Sequence, residues 1–190
     1  MLFFTGQMIW AHSLRAPVSE CQSAQRVADM SKVLPCYLNR EEPDFRWEVK
    51  NKDTETVIID KQQSKVARYF LTLTSLRWQE GEKGKVDYPL WKHRLTIYKP
   101  EKVVKDTALL YINGGTINPE EGKAPLEGRD DLEFARIAAH TQSVVVDLKD
   151  VPNQYLRFAG GKPLKEDQLI AYTWSQFMMN PDNLSAIISS

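Results

Sequence analysis

Ala108 to Ile112, Ala-Leu-Leu-Tyr-Ile, form a short and almost unbroken apolar run that leads straight into Asn113-Gly114-Gly115-Thr116. Such a run predicts a strand buried on both faces of a sheet. The two glycines let the backbone after it take conformations closed to other residues. In open α/β sheets ligands collect beyond the carboxyl ends of strands, so chemistry is expected at this turn.

The residues beyond the turn fix the class. Gly114, Gly115, Pro119, Gly122, Pro125 and Gly128 mark a long loop. Asp130-Asp131-Leu132-Glu133 then has the form of a capping box, with acidic side chains at the positive end of the helix dipole. Leu132, Phe134, Ala135, Ile137, Ala138 and Ala139 give the helix a broad apolar face. Ser143 to Leu148 is a Val-rich strand. Strand, helix, strand at this spacing predicts a βαβ unit with parallel strands and a right-handed crossover.

The preceding residues read as antiparallel β structure. Phe45, Trp47 and Val49 alternate with charged residues, predicting a half-buried strand, and Val57 to Asp60 a brief second one. Val66 to Trp78 is the longest β signal. Leu95, Ile97 and Tyr98 form another strand, ended by Pro100. Beyond the βαβ unit come loops at Asp150 to Gln154 and Ala159 to Pro163. Glu166-Asp167 then open a helix with an apolar stripe of Leu169, Ile170, Trp174, Phe177 and Met178, ended by Asn180-Pro181. Near the start, Ser23 to Val33 suits one short helix stopped by Pro35. The chain is thus read as an N-terminal segment (1–43), an α/β domain (44–184) and an irregular tail (185–190).

Composition closes several classes. Hydrophobic residues make up 42% of 190 residues, enough for a packed core. Lys+Arg and Asp+Glu balance at 25 each, so nothing points to nucleic acid. No apolar run approaches the length that spans a membrane. The apolar start suggests a degenerate secretory signal, but no positive charge precedes it and Thr5-Gly6-Gln7 interrupts it; a loosely packed N-terminus fits as well. Cys21 and Cys36 have no partner motif and read as incidental or as one structural bridge rather than as reactive thiols. No cluster at ligand spacing calls for a metal, and no motif calls for a cofactor.

The glycine turn fits neither the dinucleotide fingerprint nor the P-loop, since Gly122-Lys123 is followed by Ala124. It fits the loop after the third strand of α/β-hydrolases, where backbone N–H groups face the oxyanion of acyl transfer. A tight turn with no chemistry is the competing reading. Asn113, Gly114, Gly115 and Thr116 are therefore the oxyanion-loop candidates. No catalytic residue can be assigned, because Gly-x-Ser-x-Gly occurs nowhere in the chain. Ser143 precedes its strand and Ser175 lies within a helix. His12, His93 and His140 read as structural or incidental. Asp147 ends a strand, where an aspartate more often binds loop N–H groups than acts in catalysis.

Four stretches together resemble the PhoPQ-activated pathogenicity-related protein family: Leu90-Trp-Lys-His-Arg-Leu-Thr-Ile-Tyr-Lys-Pro100, Leu109-Leu-Tyr-Ile-Asn-Gly-Gly115, Asp150-Val-Pro-Asn-Gln154 and Glu166-Asp-Gln-Leu-Ile-Ala-Tyr-Thr-Trp174. The resemblance covers roughly Trp47 to Leu184. It implies an α/β-hydrolase-like, exported bacterial protein about twice this length, with nucleophile, acid and histidine beyond Ser190. The expectation is thus a catalytically incomplete N-terminal half. Its strand Ala108 to Ile112 would lie between Ser143 to Leu148 and a missing nucleophile strand, and its unpaired edge would invite self-association. A non-catalytic binding module is the rival, with an aromatic surface around Trp78, Tyr88 and Trp91.

Overall fold

The computed structural model describes residues 41–78, 86–117 and 132–179, with positions 35 and 38 besides. The expected helix at Ser23 to Val33, both cysteines, Asp130-Asp131 and the chain ends lie outside the described residues.

Five strands form one mixed sheet: β1 (Arg46–Ile59), β2 (Gln62–Arg77), β3 (Leu90–Pro100), β4 (Ala108–Ile112) and β5 (Val144–Leu148), in the spatial order β1-β2-β3-β5-β4. Two helices, α1 (Leu132–Thr141) and α2 (Asp167–Met179), complete the described elements, so the class is α/β. The first three strands are an antiparallel meander. The chain then lays β4 at the far edge, crosses through α1, and returns to insert β5 between β3 and β4. There β5 runs antiparallel to β3 and parallel to β4. The βαβ reading holds, with Leu109 opposite Val145 and Tyr111 opposite Asp147.

The expected break before Val57 is absent, and β1 is one strand with a register shift between Val49 and Asn51. Its polar middle survives because charges pair across the ladder. Arg68 donates to both oxygens of Asp53 at 2.7 Å each and lies 3.0 Å from Glu55. The β1–β2 turn is Asp60-Lys61, with φ of 49° and 67°. Positive φ at both central positions is the twist-matched geometry of a two-residue hairpin.

α1 packs across one face of the sheet. Phe134, Ala135 and Ala138 are buried against Val57, Val66, Tyr98 and Val145. The two alanines let the helix approach closely, and each wholly buried valine stabilises by about 2 kcal/mol. By register, Leu71, Leu95, Ile97, Val146, Leu148, Leu110 and Ile112 share the other face. Only Leu71 of these is buried.

Three expectations of burial fail. β4 is exposed along its whole length, with Leu110 at 55% and Ile112 at 62%, because it is the sheet's edge strand. Phe45, Trp47 and Val49 are exposed rather than half-buried, since they occupy the opposite edge. The α2 stripe is split: Leu169 is buried while Ile170, Trp174 and Met178 are exposed.

The chain divides into two compact units, residues 42–169 and a second comprising 1–41 with 170–190. The sheet and α1 belong wholly to the first. In the second, the hydroxyls of Thr173 and Ser175 donate to the carbonyls of Ile170 and Tyr172 within α2.

Candidate functional site

Because β4 and β5 are parallel, the loops after their carboxyl ends emerge side by side. Their backbones continue the ladder: Asn113 N–H donates to Leu148 O at 2.7 Å, Asp150 N–H to Gly114 O at 3.2 Å, and Val151 N–H to Asn113 O at 3.2 Å. Gln154 closes the pair of loops, its Nε2 donating to Gly115 O at 2.8 Å while its Oε1 accepts from Glu166 N–H at 3.2 Å.

Asp150 is the centre of this arrangement and is completely buried. Arg94 on β3 meets its carboxylate with two parallel bonds of 2.7 Å, from Nε to Oδ2 and from Nη2 to Oδ1. A buried carboxylate needs this kind of bidentate partner, since an unpaired charge there costs several kcal/mol. Gly115 sits directly on that carboxylate. A Cβ at Gly115 would lie 2.2 Å from Asp150 Oδ1, and its φ of +148° disfavours any other residue. At Gly114 a Cβ would meet only open space. The sequence-level pairing of two equivalent glycines therefore separates into one that packing requires and one that it does not.

Among the described residues, the amides of Gly114, Gly115 and Thr116 donate no hydrogen bond, although the carbonyls of Asn113, Gly114 and Gly115 all accept one. The loop is thus fixed through its oxygens with successive N–H groups unspent. This is the polarity that an anionic or developing oxyanion partner requires.

A second polar chain reaches Asp150 from the meander. His93 is buried, with Nδ1 at 2.9 Å from Asp150 O and Nε2 at 2.9 Å from Ser75 Oγ. Burial pushes the imidazole below its ordinary value of 6.5, opposed by its hydrogen bond to the Asp150 backbone and by the Asp150 charge. Asn153 is also fully buried, and neither its Oδ1 nor its Nδ2 has a hydrogen-bond partner.

The four expected loop residues are brought together here, and the loop after β5 joins them. Asp147 does not bind loop N–H groups as expected. It is buried within β5 and faces Lys149 Nζ at 3.4 Å, because the two residues, two apart, share one face of the chain. Of the aromatic surface expected around Trp78, Tyr88 and Trp91, Tyr88 is exposed and Trp91 partly so, but Trp78 takes no part in it. Trp78 is 3% exposed, edge-on to both Trp91 and Phe158 at 5.8 and 5.5 Å, and so belongs to the interior. Sequence reasoning missed Arg94, Asp150, Gln154 and the Ser75–His93 contact. Arg94 and Asp150 both lie inside stretches that carry the family resemblance, which was the one signal available. No group of three metal-ligating side chains gathers among the described residues, and no described helix is long and apolar enough to cross a membrane.

Fold and site together define an α/β protein with a glycine loop held at the carboxyl end of a parallel strand pair. The chain matches the PhoPQ-activated pathogenicity-related protein family over residues 34–189, and it belongs to that family. It is also 34% identical over 152 residues to the autocrine proliferation repressor protein A of Dictyostelium discoideum, a match covering 79% of this chain and 28% of that protein. The match thus spans little more than a quarter of the length of that relative. No solved structure matches the chain.

Proposed function

We propose that the loops after β4 and β5 are the oxyanion side of an acyl-transfer site in an α/β-hydrolase-like protein, and that this chain alone is catalytically incomplete. The observation that carries this reading is the set of amides at Gly114, Gly115 and Thr116 that donate to no described residue, on a loop held by Asp150 and Gln154. The sheet order supports it. β4 lies beside β5 with no described strand on its outer edge, where a hydrolase-like fold would add the strand that carries the nucleophile. The apolar second face of the sheet, with Leu110 and Ile112 exposed, also fits a surface made to be covered. The 190 residues contain no Gly-x-Ser-x-Gly, so the nucleophile, acid and general base of turnover at this loop would come from outside them. The completed site would hydrolyse an ester or amide through an acyl-enzyme.

Two experiments test the reading. The coding DNA beyond Ser190 is translated in all three frames; Gly-x-Ser-x-Gly followed by an acidic residue and a histidine is expected. The extended chain is then assayed on aryl esters with Gly115→Ala, which should lower kcat far more than it raises KM. Steady turnover by the 190-residue chain itself would overturn the assignment.

A further inference from the structure

Ser75 occupies an irregularity in the β2–β3 ladder. Thr74 pairs with Lys92 and Leu76 with Trp91, so Ser75 is the extra residue of a bulge with no partner on β3. Bulges re-aim a side chain out of the strand's alternation and are over-represented beside active sites. Here the hydroxyl is aimed at His93, with Oγ 2.9 Å from Nε2, and Ser75 remains partly exposed while His93 is buried.

The direction of this bond follows from the other ring nitrogen. His93 Nδ1 lies 2.9 Å from the main-chain oxygen of Asp150, and a carbonyl oxygen can only accept. Nδ1 therefore carries the proton. In the neutral ring Nε2 is then bare, so the Ser75 hydroxyl donates to it. Serine to imidazole to a fixed acceptor is the arrangement of a nucleophile, its general base and the group that orients the base. The acceptor is well held. Asp150 N–H is tied to Gly114 O, its carboxylate is clamped by Arg94, and Trp91 lies edge-on to the ring at 6.3 Å. The charge that acts on the ring is that Asp150 carboxylate, paired with Arg94; the Asp147 side chain, paired by register with Thr96, lies on the other face of the sheet.

We propose that Ser75 is a base-activated nucleophile with His93 as its general base, and that it accepts an acyl or phosphonyl group from an activated ester. Oγ forms the new bond to the carbonyl carbon or phosphorus as its proton passes to Nε2. The bond to the leaving group breaks, and the departing alkoxide takes the proton from Nε2, giving acylated Ser75 and an alcohol. With a fluorophosphonate, fluoride departs and the imidazolium releases its proton to buffer. No oxyanion donor beside Ser75 is assigned, so the outcome is a stoichiometric adduct rather than turnover. The proposal does not depend on the role given to the glycine loop.

The test treats the 190-residue chain with a fluorophosphonate probe and reads the adduct by intact mass and peptide mapping. One adduct, on Ser75, is expected, absent from the heat-unfolded chain and from Ser75→Ala. Its rate should fall as pH is lowered and the imidazole takes up a proton, and His93→Gln should slow it at least roughly tenfold, within the usual range for loss of a general base. Should His93→Gln fail to fold, the pH profile of the unaltered chain decides. No adduct at mildly alkaline pH, an adduct on another serine that persists in Ser75→Ala, or a Ser75 rate insensitive to pH would each overturn the proposal. None of these results bears on the turnover of the extended chain, so the two readings fail separately.

Discussion

β4 and β5 are the same length, lie side by side, run in the same direction and read alike as short apolar strands: Ala-Leu-Leu-Tyr-Ile and Val-Val-Val-Asp-Leu. Their surroundings are opposite. β5 buries Val145 and even a carboxylate, Asp147, whereas every residue of β4 is exposed. Composition therefore does not set burial here; position in the sheet does. β5 has a hydrogen-bonded neighbour on each side, and α1 packs over its Val145 face. Among the described strands β4 has one neighbour, and from α1 it receives the Phe134 ring against Tyr111 at 5.2 Å. The more apolar of the two strands is the one left in water, and the strand that carries a charge is the one in the core.

Replacing directly opposed residues gives the sharpest test of that contrast. Leu109 and Val145 share a register position and a face. Val145→Asp would place an unpaired charge at a wholly buried site, and is expected to cost about 4 kcal/mol or more, enough to abolish the folded state. Leu109→Asp, on a residue 44% exposed, should change stability by less than about 1 kcal/mol. Urea denaturation followed by circular dichroism separates the two. Similar losses at both positions would mean that β4 is as firmly covered as β5.

The loops that leave these strands repeat the contrast at the scale of single atoms. Gly115→Ala would drive a methyl group into the Asp150 carboxylate, which is held by two bonds to Arg94 and has little freedom to retreat. A loss of about 1–3 kcal/mol is expected from the overlap together with the strained φ. Gly114→Ala meets open space and should alter stability by no more than about 0.5 kcal/mol. If Gly114→Ala were the costlier change, the packing of Gly115 on Asp150 would not be what fixes the loop.

How much of the molecule was legible in the sequence depends on the range of the forces involved. The βαβ unit, the helix at Leu132–Thr141 and the strands β2 and β3 were readable, because periodicity and glycine placement are local signals, whereas the polar middle of β1 hid its continuity. The glycine loop was readable as a candidate for the same reason. The split between Gly114 and Gly115 was not, since it depends on Asp150, which reaches Gly115 only through the pairing of β4 with β5. Arg94 and Asp150 are 56 residues apart, and nothing in the pattern of charges announces their pairing. The burial of β4 was misread because an apolar run reports what a strand would tolerate around it, and not what surrounds it. His93 does have partners within the fold, as a structural histidine should, but Ser75 could not be named as one of them. The bulge that aims it is a property of the β2–β3 register.

The network around Asp150 also sets a pH dependence, through His93 on β3. The folded His93 has a pKa depressed by burial, so below its ordinary value of 6.5 the unfolded chain binds the proton more readily. Its contribution is fully present above 6.5 and is lost as pH falls through the depressed folded value. A second loss is expected at lower pH. The Arg77 hydrogen bond holds Asp44, and the Arg68 hydrogen bond holds Asp53, below the ordinary 3.8, so both contributions fade as pH drops through that range. Chemical denaturation midpoints from mildly alkaline to strongly acidic pH read both windows. His93→Gln should remove the upper decline and leave the lower one; survival of the upper decline would assign it to another group.

The smallest effect on stability should accompany a large effect on association. Among the described strands none pairs with the outer edge of β4, and its exposed Leu110 and Ile112 lie on the same face. An edge strand of this composition is a template for another chain, and the usual safeguard against such pairing is a charge on the edge, which β4 lacks. Leu110→Lys supplies that charge at a residue whose side chain is already more than half exposed, so the folded state should change by less than about 0.5 kcal/mol. Light scattering coupled to size exclusion should show the unaltered chain self-associating with rising concentration and the Leu110→Lys chain doing so far less. If both chains are monomers at every concentration, the β4 edge is not used for self-association. Its apolar residues would then be explained by a covering segment or partner, or by no contact at all.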